Sequence, residues 1–203
     1  MSGNFRKWNT FRESTDGNLY VVLFISRNKD NKDVKDFKER KKGFISSKSI
    51  EELKQDFLTF CNKGVDSELC RFYMSVNARD RIKINKELTH YLIDNLEIYT
   101  EDIPQMITRI AARKENALEK KWLFDFDSKD DSRCLDFCNK IKEIDSNIIT
   151  TVTKTLNGFH IVTNHGFDTR ELLKEFPEVT LHKDDLILVQ YFKKENKGDF
   201  YAK

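Results

Sequence analysis

Leu19 to Ser26 (LYVVLFIS) is rich in β-branched and aromatic residues and predicts a strand. The lysine- and aspartate-rich stretch Arg27 to Lys42 has neither a helical nor an alternating period, and predicts an exposed loop. Ile50, Leu53, Phe57 and Cys61 recur on one face of a helix that Ser47 or Ser49 can cap and Gly64 can end. Leu69 to Val76 predicts a second strand. Asn85 opens a helix that turns Leu88, Tyr91, Leu92 and Leu96 inward, and Asp102-Ile103-Pro104 begins another with Met106, Ile107, Ile110 and Ala111 inward. Proline at a first helical turn removes only an N–H that would have no partner.

The second half follows the same logic. Trp122 to Phe126 predicts a strand, polar Asp127 to Asp131 leads into a helix carrying Leu135, Cys138 and Ile141, and Ile148 to Thr155 predicts the next strand. Asn157-Gly158, between the β-rich runs Ile148 to Leu156 and Phe159 to Thr163, predicts a hairpin closed by a type I′ turn with positive φ at both positions. Asp168 with Glu171 reads as a capping box for a short helix bearing Leu172, Leu173 and Phe176, which Pro177 ends. Strands near Val179 to His182 and Leu186 to Phe192 complete the pattern. The whole is an α+β fold and a single domain, 1–203. It has an N-terminal β-containing lobe over about 1–118, a β-α-β-β-α-β part over about 119–193, and a charged tail, 194–203, expected to fray.

Composition changes this picture little. Hydrophobic residues make up 38%, and 16 phenylalanines supply a core despite 34% charged residues. Thirty-six basic and 34 acidic residues leave a formal net charge of +2, so nucleic acid is allowed as a partner and a dedicated basic DNA coat is excluded. No run reaches the roughly 18 to 20 apolar residues of a membrane span. Met1 to Asp16 is polar with no apolar core to serve as a signal, so a cytoplasmic protein without membrane partners is expected. Cys61, Cys70, Cys134 and Cys138 show no C-x-x-C spacing and read as reduced core residues, a metal held by Cys134 and Cys138 being the lesser alternative. The P-loop, Rossmann, G-x-S-x-G and K-x-D-G motifs are all missing.

The chemistry concentrates in Trp122-Leu123-Phe124-Asp125-Phe126-Asp127. A strand puts Trp122, Phe124 and Phe126 on one face and Leu123, Asp125 and Asp127 on the other, so two carboxylates project together. Such a pair repels itself unless a divalent cation neutralises it, and hard oxygen ligands suit Mg²⁺ or Mn²⁺. In the plainer alternative Asp127 ends the strand and caps the next helix while Asp125 faces solvent. His160 shares a strand face with Val162, and either makes a structural hydrogen bond or donates to a phosphate oxygen. A phosphatase of the haloacid-dehalogenase kind could also begin at Asp125-Phe126-Asp127, but its further lysine and acidic motifs have no counterpart here.

The order of an apolar strand, D-x-D, and a glycine and histidine about thirty residues on resembles the palm of archaeo-eukaryotic primases and primase-polymerases, whose first motifs are D-x-D/E and S-x-H. Here these are Asp125 and Asp127, then Asn157-Gly158-Phe159-His160, with His160 33 residues after Asp127. The serine of the second motif is replaced by Asn157 or Leu156, and the third acidic position falls to Asp184 or Asp185, with Asp185 taken as the metal ligand. The resemblance spans Lys120 to about Phe192. It implies an RRM-like, palm-type mixed sheet with packed helices, two metal ions on Asp125, Asp127 and Asp185, and His160 contacting the incoming nucleotide. It further implies metal-dependent nucleotidyl transfer, with a nucleoside triphosphate and DNA or RNA as partners. The order of elements is also similar to that of small bacteriophage proteins, which leaves a second expectation: a non-catalytic accessory module binding nucleic acid or a host or phage protein.

Arg71, Arg79, Arg81, Lys83 and Lys154 are the basic candidates for a nucleotide site, and Arg79, Lys154, Asn157 and Gly158 are taken as its substrate-binding set. Aromatics beside basic residues, Arg71-Phe72-Tyr73 and Tyr191-Phe192-Lys193-Lys194, could stack bases or simply alternate between core and solvent. Arg109, Arg113 and Lys114 read as a solvated helix face.

Overall fold

The computed structural model describes residues 17–194; Met1 to Asp16 and nearly all of the charged tail lie outside the described residues. Two four-stranded antiparallel sheets and five α-helices make up a mixed α+β fold. The first sheet holds β1 (Tyr20–Ser26), β2 (Arg40–Ser46), β3 (Leu69–Ser75) and β8 (Leu186–Lys193) in the order β2-β1-β3-β8. The second holds β4 (Trp122–Phe126), β5 (Thr150–Lys154), β6 (Phe159–Thr163) and β7 (Val179–His182) in the order β5-β6-β4-β7. With α4 (Asp131–Ile144) after β4 and α5 (Arg170–Glu175) after β6, the second sheet consists of two interleaved split β-α-β units.

Each sheet buries one face against helices. Phe24, Phe72 and Met74 cluster with Leu53 and Phe57 of α1 (Ile50–Asn62), which Ser49 and Glu52 start with a reciprocal capping box. On the second sheet Phe124, Phe126, Phe159 and Ile161 cluster with Phe137 and Ile141 of α4 and Leu172 of α5. Part of the other face of the first sheet, around Val21, is covered by α2 (Arg81–Asp94) and α3 (Ile103–Ala111) through Ile84, Ile110 and Ala111. Val76, Leu123, Val162 and Ile187 form a small buried cluster where the two sheets meet. All four cysteines are buried and free. Among the described residues no helix is long and apolar enough to cross a membrane.

Several elements differ from the sequence reading. The predicted loop Arg27 to Lys42 ends in β2, an edge strand whose Lys41, Lys42 and Gly43 are exposed; backbone pairing of Arg40 with Ser26 and Ser46 with Tyr20 decides the strand, not apolar alternation. Helix α2 begins four residues before Asn85 because the Asp80 carboxylate accepts from the N–H groups of Ile82 and Lys83. Leu96 lies beyond that helix and Leu135 faces out of α4, both exposed. Asp168 makes no capping box: its carboxylate accepts from the N–H and guanidinium of Arg170, while Glu171 pairs with Lys174. The strand grouped with the palm-like part, β8, pairs with β3 in the first sheet. Chain order therefore does not separate the lobes.

Candidate functional site

A cleft of about 490 Å³ opens between the sheets. The second sheet contributes Leu123, Asp125 and Asp127 from β4 and its end, His160 from β6 and His182 from β7. Alternation brings these together: β4 pairs with β6 so that Asp125 stands directly opposite His160, while Phe124 and Phe126 point into the helix-covered core. The His160 Nε2 and an Asp125 carboxylate oxygen are 3.5 Å apart. Asp185, in the connection from β7 to β8, reaches the same cleft; its carboxylate pairs with Nδ1 of His182 at 3.0 Å and accepts from the Leu186 N–H.

The electrostatics follow from this crowding. Burial pushes the Asp125 carboxyl above the ordinary carboxylate range, the charge of Asp127 pushes it further, and His182 and Asp185 act in opposite senses. Burial likewise lowers His160 to about 4, with His182 adding to the effect and Asp185 opposing it. The imidazole of His160 is thus neutral at physiological pH. Its Nδ1 is buried with no hydrogen-bond partner among the described residues.

The first sheet forms the facing wall with Leu23, Ile25, Leu186 and Leu188, and with a cationic corner of Arg27, Lys29 and Arg71 around Asp30. Arg27 donates to Asp30 at 2.9 Å and Arg71 at 2.6 Å, and Arg71 also donates to the Tyr73 hydroxyl at 3.3 Å. Burial alone would raise the Asp30 carboxyl, but the two guanidinium hydrogen bonds outweigh it and hold it below the usual range. Two arginines and a lysine against one carboxylate leave this wall positive, opposite an acidic one. No family model, curated protein or solved structure matches the chain.

The expected site residues divide. Asp125, Asp127, His160, Asp185 and Asn157 line the cleft. Arg79 does not: it is buried, and its guanidinium grips Asp184 with two hydrogen bonds of 2.7 and 3.1 Å. Lys154 stays outside, paired with Asp131 at 2.9 Å beside the ring of Phe159. Arg71, one of the five basic candidates, is a wall residue, and Arg27, Lys29 and His182 line the cleft although the sequence does not single them out. For His182 the available signal was its strand position two residues before Asp184-Asp185; for Arg27 and Lys29 it was their place immediately after β1.

Gly158 matters for a different reason than expected. The β5–β6 hairpin forms, but neither Asn157 nor Gly158 has positive φ, so the turn is not type I′. Thr155 closes it instead, its N–H donating to the Gly158 carbonyl and its hydroxyl accepting the Gly158 N–H. A Cβ on Gly158 would sit 1.9 Å from the backbone oxygen of Phe126, where β4 ends. Only glycine lets the turn lie against the strand that carries the two aspartates. Gly158→Ala is expected to cost about 2 kcal/mol, as overpacking against an unyielding backbone does. Urea unfolding checks this, and a loss below about 0.5 kcal/mol would mean that the turn moves aside freely.

Proposed function

We propose that the cleft binds a nucleoside triphosphate with a divalent cation and performs nucleotidyl transfer of the primase-polymerase type, on an RRM-like palm formed by the second sheet. The observation that carries this reading is the convergence of Asp125, Asp127, His160 and Asp185 in one cleft whose opposite wall presents Arg27, Lys29 and Arg71. The donor set fits Mg²⁺ or Mn²⁺: the oxygens are hard, and Asp125 is crowded by burial and by the charges of Asp127 and Asp185.

Among the described residues no group of three His, Cys, Asp or Glu side chains is placed to hold a metal ion. Mg²⁺ does not need one, because it keeps several waters and is held by one or two carboxylates together with substrate phosphates. Asp125 and Asp127 would hold the cation, which when bound offsets phosphate charge at the reacting centre. Neutral His160 donates one ring N–H to a phosphate oxygen, and the arginines of the facing wall orient the triphosphate through forked hydrogen bonds. Leu23, Ile25 and Leu188 present an apolar surface to the base. A DNA or RNA strand is the partner that would supply the attacking hydroxyl.

Calorimetry with Mn²⁺ and a nucleoside triphosphate tests the reading by comparing the wild type with Asp125→Ala/Asp127→Ala. Metal-dependent nucleotide binding is expected, weakened by about 100-fold in the variant, the equivalent of two charged contacts at roughly 1.5 kcal/mol each. If the wild type binds neither metal nor nucleotide, the cleft is a non-catalytic surface for nucleic acid or a protein.

A further inference from the structure

Arg79, Asn77 and Asp184 form a buried polar cluster at the junction of the two sheets, away from the ligand-facing walls. Arg79 is 3% exposed and its two terminal nitrogens both reach the Asp184 carboxylate. The Asn77 amide donates to the same carboxylate at 3.1 Å and to the Lys121 carbonyl at 3.0 Å, while its own oxygen accepts the Lys121 N–H at 2.9 Å. Lys121 directly precedes β4, the strand of Asp125. The backbone of Arg79 is fastened as well: its N–H donates to the Leu19 carbonyl at 2.7 Å, just before β1, and the residue makes isolated bridges to Leu19 and Ala117. One arginine thus touches the start of β1, the approach to β4 and the β7–β8 connection.

We propose that Arg79 is a positioning residue, which through Asp184 aims the neighbouring Asp185 and the His182 imidazole paired with it into the cleft. The reason is geometric. Asp184 and Asp185 are consecutive, so fixing the carboxylate of one inside the junction fixes the direction in which the other leaves the backbone. Among the described residues, Asp185 is otherwise held by its carbonyl, which accepts the Val76 N–H at 2.9 Å, and by its own side-chain contacts with Leu186 and His182. With an Asp185 carboxyl oxygen 3.0 Å from Nδ1 of His182 as acceptor, the contact selects the tautomer that carries its proton on Nδ1 and leaves the lone pair on Nε2. A guanidinium suits the lock because it stays charged and presents a rigid fork; lysine offers one mobile point donor. The residue expected to grip phosphate in the cleft instead grips the turn that equips it.

Arg79→Met/Asp184→Leu tests the lock, since replacing both members of a buried ion pair by apolar groups of similar size usually preserves the fold. The direct readout is the nitrogen spectrum of His182 at about pH 8, above the ordinary histidine range. The wild type is expected to show the single Nδ1–H tautomer and the double variant a mixture. Mn²⁺ affinity, the arm that rests on the nucleotidyl-transfer reading, is expected to fall by about 10- to 100-fold, as it does when outer partners of a metal site are removed. A double variant that keeps the wild-type His182 spectrum overturns the proposal, whether or not the cleft binds metal. Should that variant fail to fold, Arg79→Lys carries the same test: a His182 spectrum shifted toward the mixture supports the lock, and one identical to the wild type overturns it.

Discussion

Phe137→Ala is expected to lower folding stability by about 3 to 5 kcal/mol, the largest effect of any single change considered for this protein. Phe137 is fully buried on α4 and meets three other rings: Phe124 at 5.4 Å, Phe126 at 5.9 Å and Phe176 at 5.1 Å between centroids. Two of those rings belong to β4, whose ladder bonds to both β6 and β7 hold its backbone in place, so the strand cannot sink to refill the space. The cost is therefore the lost transfer energy plus an open cavity, near the upper end of such substitutions. Urea unfolding should show a lower midpoint at an unchanged slope. A loss below about 1.5 kcal/mol would mean that the core collapses around the gap and that β4 is less firmly held than its ladder indicates.

Glu68→Gln should cost about 3 kcal/mol at neutral pH, with a pH dependence that identifies the cause. Glu68 is 2% exposed; its carboxylate pairs with the Arg40 guanidinium and accepts the Val65 N–H at 2.8 Å. Burial alone would raise its carboxyl, but the hydrogen bonds, led by that of Arg40, outweigh burial and hold it below the ordinary range. A carboxyl depressed on folding contributes stability that is fully present above its unfolded value, about 4.3 for glutamate, and is lost as pH falls through the folded value. The gap between wild type and variant is accordingly expected to be constant from about pH 6 upward and to close progressively below about pH 4. A gap that persists unchanged at about pH 3 would assign the loss to packing and not to charge.

Where strands alternate, the amino-acid pattern told most of the story. The two-residue period of Trp122 to Asp127 separates core rings from carboxylates, and the same period in Phe159 to Thr163 puts His160 on the face that the structure turns toward Asp125. Partners far apart in sequence were the blind spot. Nothing local to Arg79 announces Asp184, so a buried structural arginine read as a phosphate ligand. Nothing in Arg40 to Gly43 resembles a strand, because an edge strand can leave side chains such as those of Lys41 and Lys42 in water while its backbone pairs. The Asn157-Gly158 dipeptide located the hairpin correctly and misled about the turn, since glycine was needed there for lack of a side chain and not for positive φ. The facing wall of the cleft was hidden for a related reason: Arg27 and Lys29 enter a site only once a second sheet is laid against β1.

The return of β8 to the first sheet also governs when the protein can acquire its cleft during synthesis. Its pairing joins Leu69 to Lys193 and Ser75 to Leu186, contacts that close only after almost everything between them has been made. A nascent chain can assemble β4 to β7 and their two helices from neighbouring segments, with short loops to close. The first sheet must wait with β3 as an open edge, a hazard for association with other chains, until β8 leaves the ribosome. Asp185 emerges immediately ahead of that strand, so the acidic wall receives its last carboxylate as the two sheets are joined.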